Sequence, residues 1–206
     1  AVTERSELLD LLDAARASDT LLFSDECYAD VYEESAFPNG PPSLLQVADD
    51  GSPGVLSFLS LSKRSGMTGY RSGAIVGDPE AIAALKKLRT ATGTASPEFV
   101  QAAAVAAWSD DAHAGKRRRA FAAKRAVLRK AFDKLGMRVV ASEAGLYMWI
   151  ETGDDLATTD RLLEAGVVVS PGRFFGPGGE GYLRLALVPS VEECEQAVEV
   201  LVQCLS

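Results

Sequence analysis

The sequence predicts an α/β protein with a smaller α+β unit at its C-terminal end. Three observations carry that expectation. Short apolar stretches alternate with amphipathic ones from residue 4 to about residue 108. A long charged helical stretch, roughly 112–135, then breaks the alternation. Beyond it, strands follow one another around tight turns before a final amphipathic helix.

The elements follow in order. Residues 4–17 place Leu8, Leu9, Leu11, Leu12 and Ala15 in one apolar stripe, with Thr3 as the expected N-cap and Glu4 in the first turn. A helix therefore starts almost at once, as at the true start of a chain or at the cut edge of a longer one. "TLLFSDE" reads as a short strand ending in polar residues, and "AFPNGPPS" as a loop. Residues 55–62 read as a buried strand running up to Lys63. "SGAIVGD" is a further strand, and "PEAIAALKKLR" a helix with Pro79 near its first position. Alternation of this kind predicts a sheet covered on both faces. "TATGTASPE" breaks the pattern before an alanine-rich helix over 98–108.

After the long helix, "MRVVAS" and "LYMWIE" read as strands around the turn "EAG". "TTDRLLEAG" is a helix stopped by Gly166, "VVVSPG" and "GYLRLALV" are strands, and "SVEECEQAVEVLVQCL" is the last helix. The expected division is 1–112 for the larger unit and 113–206 for the smaller, the long helix bridging them.

Composition narrows the function. The chain has 206 residues, 47% of them hydrophobic, which is enough for a core and argues against disorder. A net charge of -8 argues against a nucleic-acid partner. No apolar run is long enough to span a bilayer, and "AVTERSELLD" lacks a signal-peptide core. Cys27, Cys194 and Cys204 have no metal-ligand spacing; an odd, sparse set predicts a reducing, cytoplasmic setting. "KRRR" at 116–119 reads as a solvated helix face, and His113 as a surface residue.

The chemistry gathers around Lys63. A lysine at the carboxyl end of a buried strand can lose part of its solvation, which frees the amine as a nucleophile toward carbonyls. Ser60 and Ser62 supply hydroxyls beside it, and Arg71 follows eight residues later in "TGYRSG". Hydroxyls and a guanidinium bind phosphate, and Gly66, Gly69 and Gly73 let backbone approach a ligand. Asp25 ends the first strand, and Tyr28 follows three residues on in "SDECYADVY". In open α/β sheets ligands gather at the carboxyl ends of strands. A carboxylate there could pair with a protonated pyridine nitrogen, and a phenol with a ring oxygen. Together these groups suit a phosphorylated aldehyde cofactor of the pyridoxal phosphate type.

With those motifs, the chain resembles the class I/II pyridoxal-phosphate aminotransferases of fold type I. The matching stretches are "SDECYADVY", "SLSKRSGMTGYRSGAIVGD", "AGLYMWIE" and "PGRFFGPGGEGYLRLALV", in the family's order and across essentially the whole chain. The resemblance implies the C-terminal part of a three-layer α/β/α large domain followed by a small domain. It implies that Lys63 forms the Schiff base with the cofactor and then shuttles the substrate proton. Asp25 would pair with the pyridine nitrogen and Tyr28 with the ring oxygen. Ser60, Arg71 and Ser62 would bind the phosphate, and Arg184 would grip the substrate α-carboxylate. Phe174 and Phe175 would border the substrate.

The resemblance further implies an N-terminal half of the same enzyme as partner, and a homodimer. It implies amino transfer between an amino acid and a 2-oxo acid, with glutamate and 2-oxoglutarate as one pair. "SKRSGMTGYRSG" and "GTASPEFVQAAAVAAW" are similar to N-succinyldiaminopimelate aminotransferases of lysine biosynthesis, and Arg173 is then a candidate for a second carboxylate. Two alternatives stay open: a carbon–sulfur β-lyase using the same lysine, and a non-catalytic module that kept the fold.

Overall fold

The structure, a computed structural model, describes residues 2–48 and 51–206. The chain forms two units that meet within one long helix, residues 2–117 and residues 118–206.

The first unit begins with helix α1, Arg5–Ala17. Its N-cap is Glu4 rather than Thr3: the Glu4 amide donates to the Glu7 carboxylate at 2.9 Å, which satisfies a helix-end N–H from the helix's own first turn. Leu8 and Leu12 turn inward while Leu9 and Leu11 stay exposed, as a 3.6-residue period requires. The inward pair packs with Leu44 and Val47 of the short helix α2, Leu44–Val47, and with Val55. Each such leucine or valine contributes roughly 1.5–3 kcal/mol on full burial.

Strand β1, Leu22–Asp25, pairs in parallel with β2, Val55–Ser60, and β2 pairs antiparallel with β3, Gly73–Gly77. The central strand β2 starts fully buried at Val55, Leu56 and Ser57. The expected covering of both faces does not extend to its neighbours. Phe23 on β1 is 58% exposed and Val76 on β3 is 44% exposed, because each lies on a flanking strand of this three-stranded sheet.

The strand expected over 55–62 stops at Ser60. There the Ser60 hydroxyl accepts from the Ser62 amide at 3.1 Å and caps a single helical turn, α3, Leu61–Arg64. Lys63 therefore rides on a helical turn, two residues further into the bend than the sequence predicts.

Gly77 closes β3 with φ +144°, and a Cβ there would strike the Val55 carbonyl oxygen across the ladder. Replacing Gly77 with alanine is expected to destabilise the protein by about 2–4 kcal/mol, read as a lowered midpoint in urea with an unchanged slope. Just beyond, Asp78 caps helix α4, Pro79–Ala91, accepting from the Ala81 amide at 2.8 Å and from the Gly54 amide at 2.7 Å. Helix α5, Glu98–Trp108, and helix α6, Asp111–Lys134, follow.

In the second unit the sheet order is β4, β5, β7, β6, all antiparallel: Val139–Ala141, Tyr147–Glu151, Tyr182–Ala186 and Ser170–Pro171. Helices α7, Asp155–Glu164, and α8, Val191–Leu205, complete it. Met148, Ile150, Leu162, Leu183, Leu187 and Leu201 form a fully buried set. Helix α7 starts three residues earlier than the sequence predicts, because Asp154 accepts from the Ala157 amide at 3.1 Å.

"VVVSPG" forms a strand only at its last part. Gly166, at φ +87°, ends α7 with bonds from its own amide to Leu163 and from the Val167 amide to Leu162. The backbone at Val167 is thus spent on closing the helix, and pairing begins only at Ser170. Among the described residues, no helix is long and apolar enough to cross a membrane.

Candidate functional site

The first unit brings most of the candidate residues to the carboxyl ends of β1 and β2. Asp25 lies opposite Phe58, so the end of β1 stands two residues before Ser60 on the neighbouring strand. The α3 turn then carries Lys63 back over the segment that follows β1. Its Nζ sits 5.4 Å from the centre of the Tyr28 ring. Ser60, Ser62, Arg71 and Cys27 line one open cleft of about 600 Å³, together with Lys86 and Arg89 of α4.

Asp25 is an ionised carboxylate by construction. Hydrogen bonds from the Cys27 thiol and from the Cys27 amide, the latter at 3.1 Å, hold it below the usual carboxylate range. A depressed value contributes stability that is present above the unfolded pKa and is lost as pH falls through the folded one. At neutral pH the group is therefore negative, as pairing with a protonated ring nitrogen requires.

Cys27 answers in the opposite direction. Burial first, then the bond to Asp25, pushes its thiol up to about 11. At pH 8 its thiolate fraction is then about a hundredfold below that of an ordinary thiol. Alkylation of Cys27 by iodoacetamide should lag a free-thiol peptide by about that factor, checked by mass spectrometry of the digested protein.

Arg71 adopts the left-handed region, φ 51°, at the end of the short turn Thr68–Tyr70. A non-glycine residue held there costs roughly 1–3 kcal/mol, and such strain clusters where a side chain must be aimed. Its Nη1 donates to the Thr68 carbonyl at 3.1 Å, which turns the guanidinium back over its own loop. Hydroxyls from Ser60 and Ser62 with this guanidinium form a donor set that suits a phosphate dianion. The residues present thus fit pyridoxal phosphate: an amine, a carboxylate, a phenol and a phosphate-type cradle at one set of strand ends.

Arg184 lies in the second unit, on β7, between two aromatic rings. Its guanidinium carbon is 4.4 Å from the centre of Tyr147 and 4.1 Å from that of Phe175. Its Nε is buried without a hydrogen-bond partner among the described residues. A guanidinium stacked by its faces keeps its edges for an anion. Trp149 supports the group, with ring centres 5.6 Å from Phe175 and 6.0 Å from Tyr182. Phe174, by contrast, is 72% exposed.

Arg173 does not keep a free charge for a second carboxylate. Its Nη2 donates to Asp155 at 2.6 Å and its Nε to the same group at 3.0 Å, while its amide donates to Asp155 at 3.1 Å. Asp155 is fully buried, and Arg173 holds its carboxyl far below the ordinary range. The pair ties the loop after β6 to the first turn of α7. Gly172 and Gly179 close that loop, since a Cβ on either would strike the other's carbonyl oxygen.

Other expectations shift as well. His113 is half-buried rather than a free surface group, with Nε2 2.8 Å from the Ser65 hydroxyl. Within "KRRR", Lys116 and Arg119 are exposed, whereas Arg117 packs against Gly66. Glu26, unremarked in sequence, accepts from the buried Ser57 hydroxyl at 2.9 Å and from the Leu44 amide at 3.0 Å. That contact locks the segment bearing Asp25 and Tyr28 onto β2. Its only sequence signal is adjacency to Asp25.

A lysine amine, a strand-end carboxylate and a hydroxyl–guanidinium set on this fold suit a pyridoxal-phosphate-type transferase site. The chain belongs to the aminotransferase class I and II family, which it matches over residues 1–201. It is 40% identical over 194 residues to the 4-dedimethylamino-4-oxo-anhydrotetracycline transaminase OxyQ of Streptomyces rimosus, covering 93% of this chain and 53% of that protein. Among solved structures, an aminotransferase from Neisseria meningitidis superposes with a TM-score of 0.91 at 34% identity, over 100% of this chain and 55% of that one. A probable N-succinyldiaminopimelate aminotransferase from Thermus thermophilus gives 0.85 at 29% identity, over 100% and 55%. The chain therefore spans about half the length of these relatives.

Proposed function

We propose that the protein containing this chain is an aminotransferase that moves an amino group between an amino acid and a 2-oxo acid. The observation that carries the reading is the placement of the Lys63 amine 5.4 Å from the Tyr28 ring, on the turn that directly follows Ser60 and Ser62, which line a cleft with Arg71. Bound pyridoxal phosphate supplies the electron sink that makes the substrate α-proton removable. The chain's own residues do the rest. Lys63 would link the cofactor and carry the proton at its Nζ. Asp25 keeps a negative charge that would face the ring nitrogen. Tyr28 would bond the ring oxygen, Ser60, Ser62 and Arg71 would hold the phosphate, and Arg184 would take the α-carboxylate.

The reading includes an N-terminal half of the same enzyme, a homodimer and a cytoplasmic location. The half-length match to relatives and the exposed Phe23 and Val76 on the flanking strands support the first of these. Glutamate with 2-oxoglutarate is the proposed common pair. N-succinyldiaminopimelate in lysine biosynthesis is the proposed specific substrate, supported by the likeness to the Thermus protein. Because Arg173 is engaged by Asp155, the second carboxylate of such a substrate must find another cation.

The test combines borohydride reduction of the cofactor-loaded protein with product analysis. A pyridoxyl group on the Lys63 peptide, together with glutamate-dependent amino transfer, is the expected result. Pyruvate and ammonia from cystathionine would mean a carbon–sulfur lyase instead. No label on Lys63 would leave a non-catalytic module.

A further inference from the structure

The turn that carries Lys63 is held by a buried arginine to which the amino-transfer chemistry gives no part. Lys63 and Arg64 are successive on α3, so the helix sends their side chains about 100° apart. Lys63 stands over the Tyr28 ring. Arg64 turns into the protein, where its side chain is 7% exposed. There its Nη1 donates to Asp30 at 2.6 Å and its Nη2 to Asp111 at 2.5 Å. Its guanidinium carbon also lies 5.4 Å from the centre of the Trp108 ring.

These partners belong to two different segments. Asp30 closes the turn that follows β1 and holds Tyr28, where the Val31 amide donates to the Tyr28 carbonyl at 2.9 Å. Asp111 opens α6. The residues after Arg64 repeat the attachment. Ser65 bonds His113, and Gly66 leaves room for Arg117, whose Nη1 would lie 2.8 Å from a Cβ at that position. Three consecutive residues after Lys63 are thus tied to the stretch 108–117. Two carboxylates balance the charge of this buried cation through its Nη1 and Nη2, while its Nε is left without a partner among the described residues, and the planar fork fixes direction as well as charge.

We propose that Arg64 is a positioning residue: its fork onto Asp30 and Asp111 sets where the Lys63 amine stands against the Tyr28 ring and the cleft. This rests on the reading of Lys63 as the amine that takes the cofactor aldehyde. Arg64 itself touches neither cofactor nor substrate. A lysine at position 64 would keep the charge and lose the fork.

The experiment uses the intact protein stripped of cofactor, mixed with pyridoxal phosphate and quenched with borohydride at timed intervals. Amine and aldehyde condense with loss of water, and borohydride supplies the hydride that fixes the label. Mass spectrometry of the Lys63 peptide gives the trapping rate. In Arg64→Lys that rate should fall about tenfold, and kcat by a similar factor, while the amino-donor KM moves less than about threefold. Asp111→Asn removes a carboxylate that is 95% exposed, which costs the fold little, and should slow trapping about threefold.

A merely structural role would lower Tm and leave the trapping rate of the folded protein at the parent value; that result in Arg64→Lys overturns the proposal. Should Arg64→Lys fail to fold, Asp111→Asn decides alone, slowed trapping supporting the proposal and unchanged trapping overturning it. A parent protein that takes no label at Lys63 overturns the cofactor reading, and this inference with it.

Discussion

Replacing Lys63 with alanine is expected to abolish borohydride-fixed pyridoxyl labelling and to lower kcat by about 10⁴-fold or more, since the residue is proposed as both the covalent link and the proton carrier. Its surroundings predict that the fold survives. The Lys63 side chain is only half-buried, and its Nζ stands 5.4 Å from the centre of the Tyr28 ring. The turn is held by its neighbours, Ser60 at the cap and Arg64 beneath. Tm should therefore move by no more than a few degrees, which separates lost chemistry from lost structure. Labelling that shifts undiminished to Lys86 on α4, which lines the cleft with Ser60 and Ser62, would remove Lys63 from the mechanism.

Replacing Arg184 with lysine is expected to cost about 100-fold in kcat/KM for an amino acid substrate. The native guanidinium is stacked between Tyr147 and Phe175, which leaves its planar edge for a carboxylate. An ammonium has neither the fork nor the flat faces. The informative measurement pairs an amino acid with the amine that lacks its carboxylate. The parent should strongly prefer the amino acid, and the variant should lose most of that preference by slowing on the amino acid alone. Equal losses on both substrates would mean that Arg184 supports the fold through its rings rather than binding the carboxylate.

Several features were legible from residue order because their causes are local. Helix α5 begins and ends where the break at "TATGTASPE" and the alanine-rich stretch predict. Pro79 takes the first position of α4 behind Asp78, as fixed φ and a capping carboxylate dictate. The order of Asp25, Tyr28, Ser60, Lys63 and Arg71 was readable because strand ends, hydroxyls and an amine keep fixed spacings along the chain. The long helix was readable from its charge and length, and the chain divides within it between Arg117 and Arg118.

Other features depend on groups far apart in sequence, and only the tertiary structure decided them. Arg173 looked free for a substrate until folding brought Asp155, 18 residues away, under its guanidinium. His113 looked superficial until Ser65, 48 residues away, reached its ring. Arg64 carries no sequence signal of its own, and Asp30 and Asp111 meet around it only in the fold. By itself, the sequence determined the longer helices and the central strands, which family the chain resembles and which side chains are candidates for the chemistry, since periodicity, caps and motif spacing act over a few residues. Which of the cations are spent on the fold and which remain for a ligand was decided by packing, because a charge is neutralised by whatever partner the folded chain brings near.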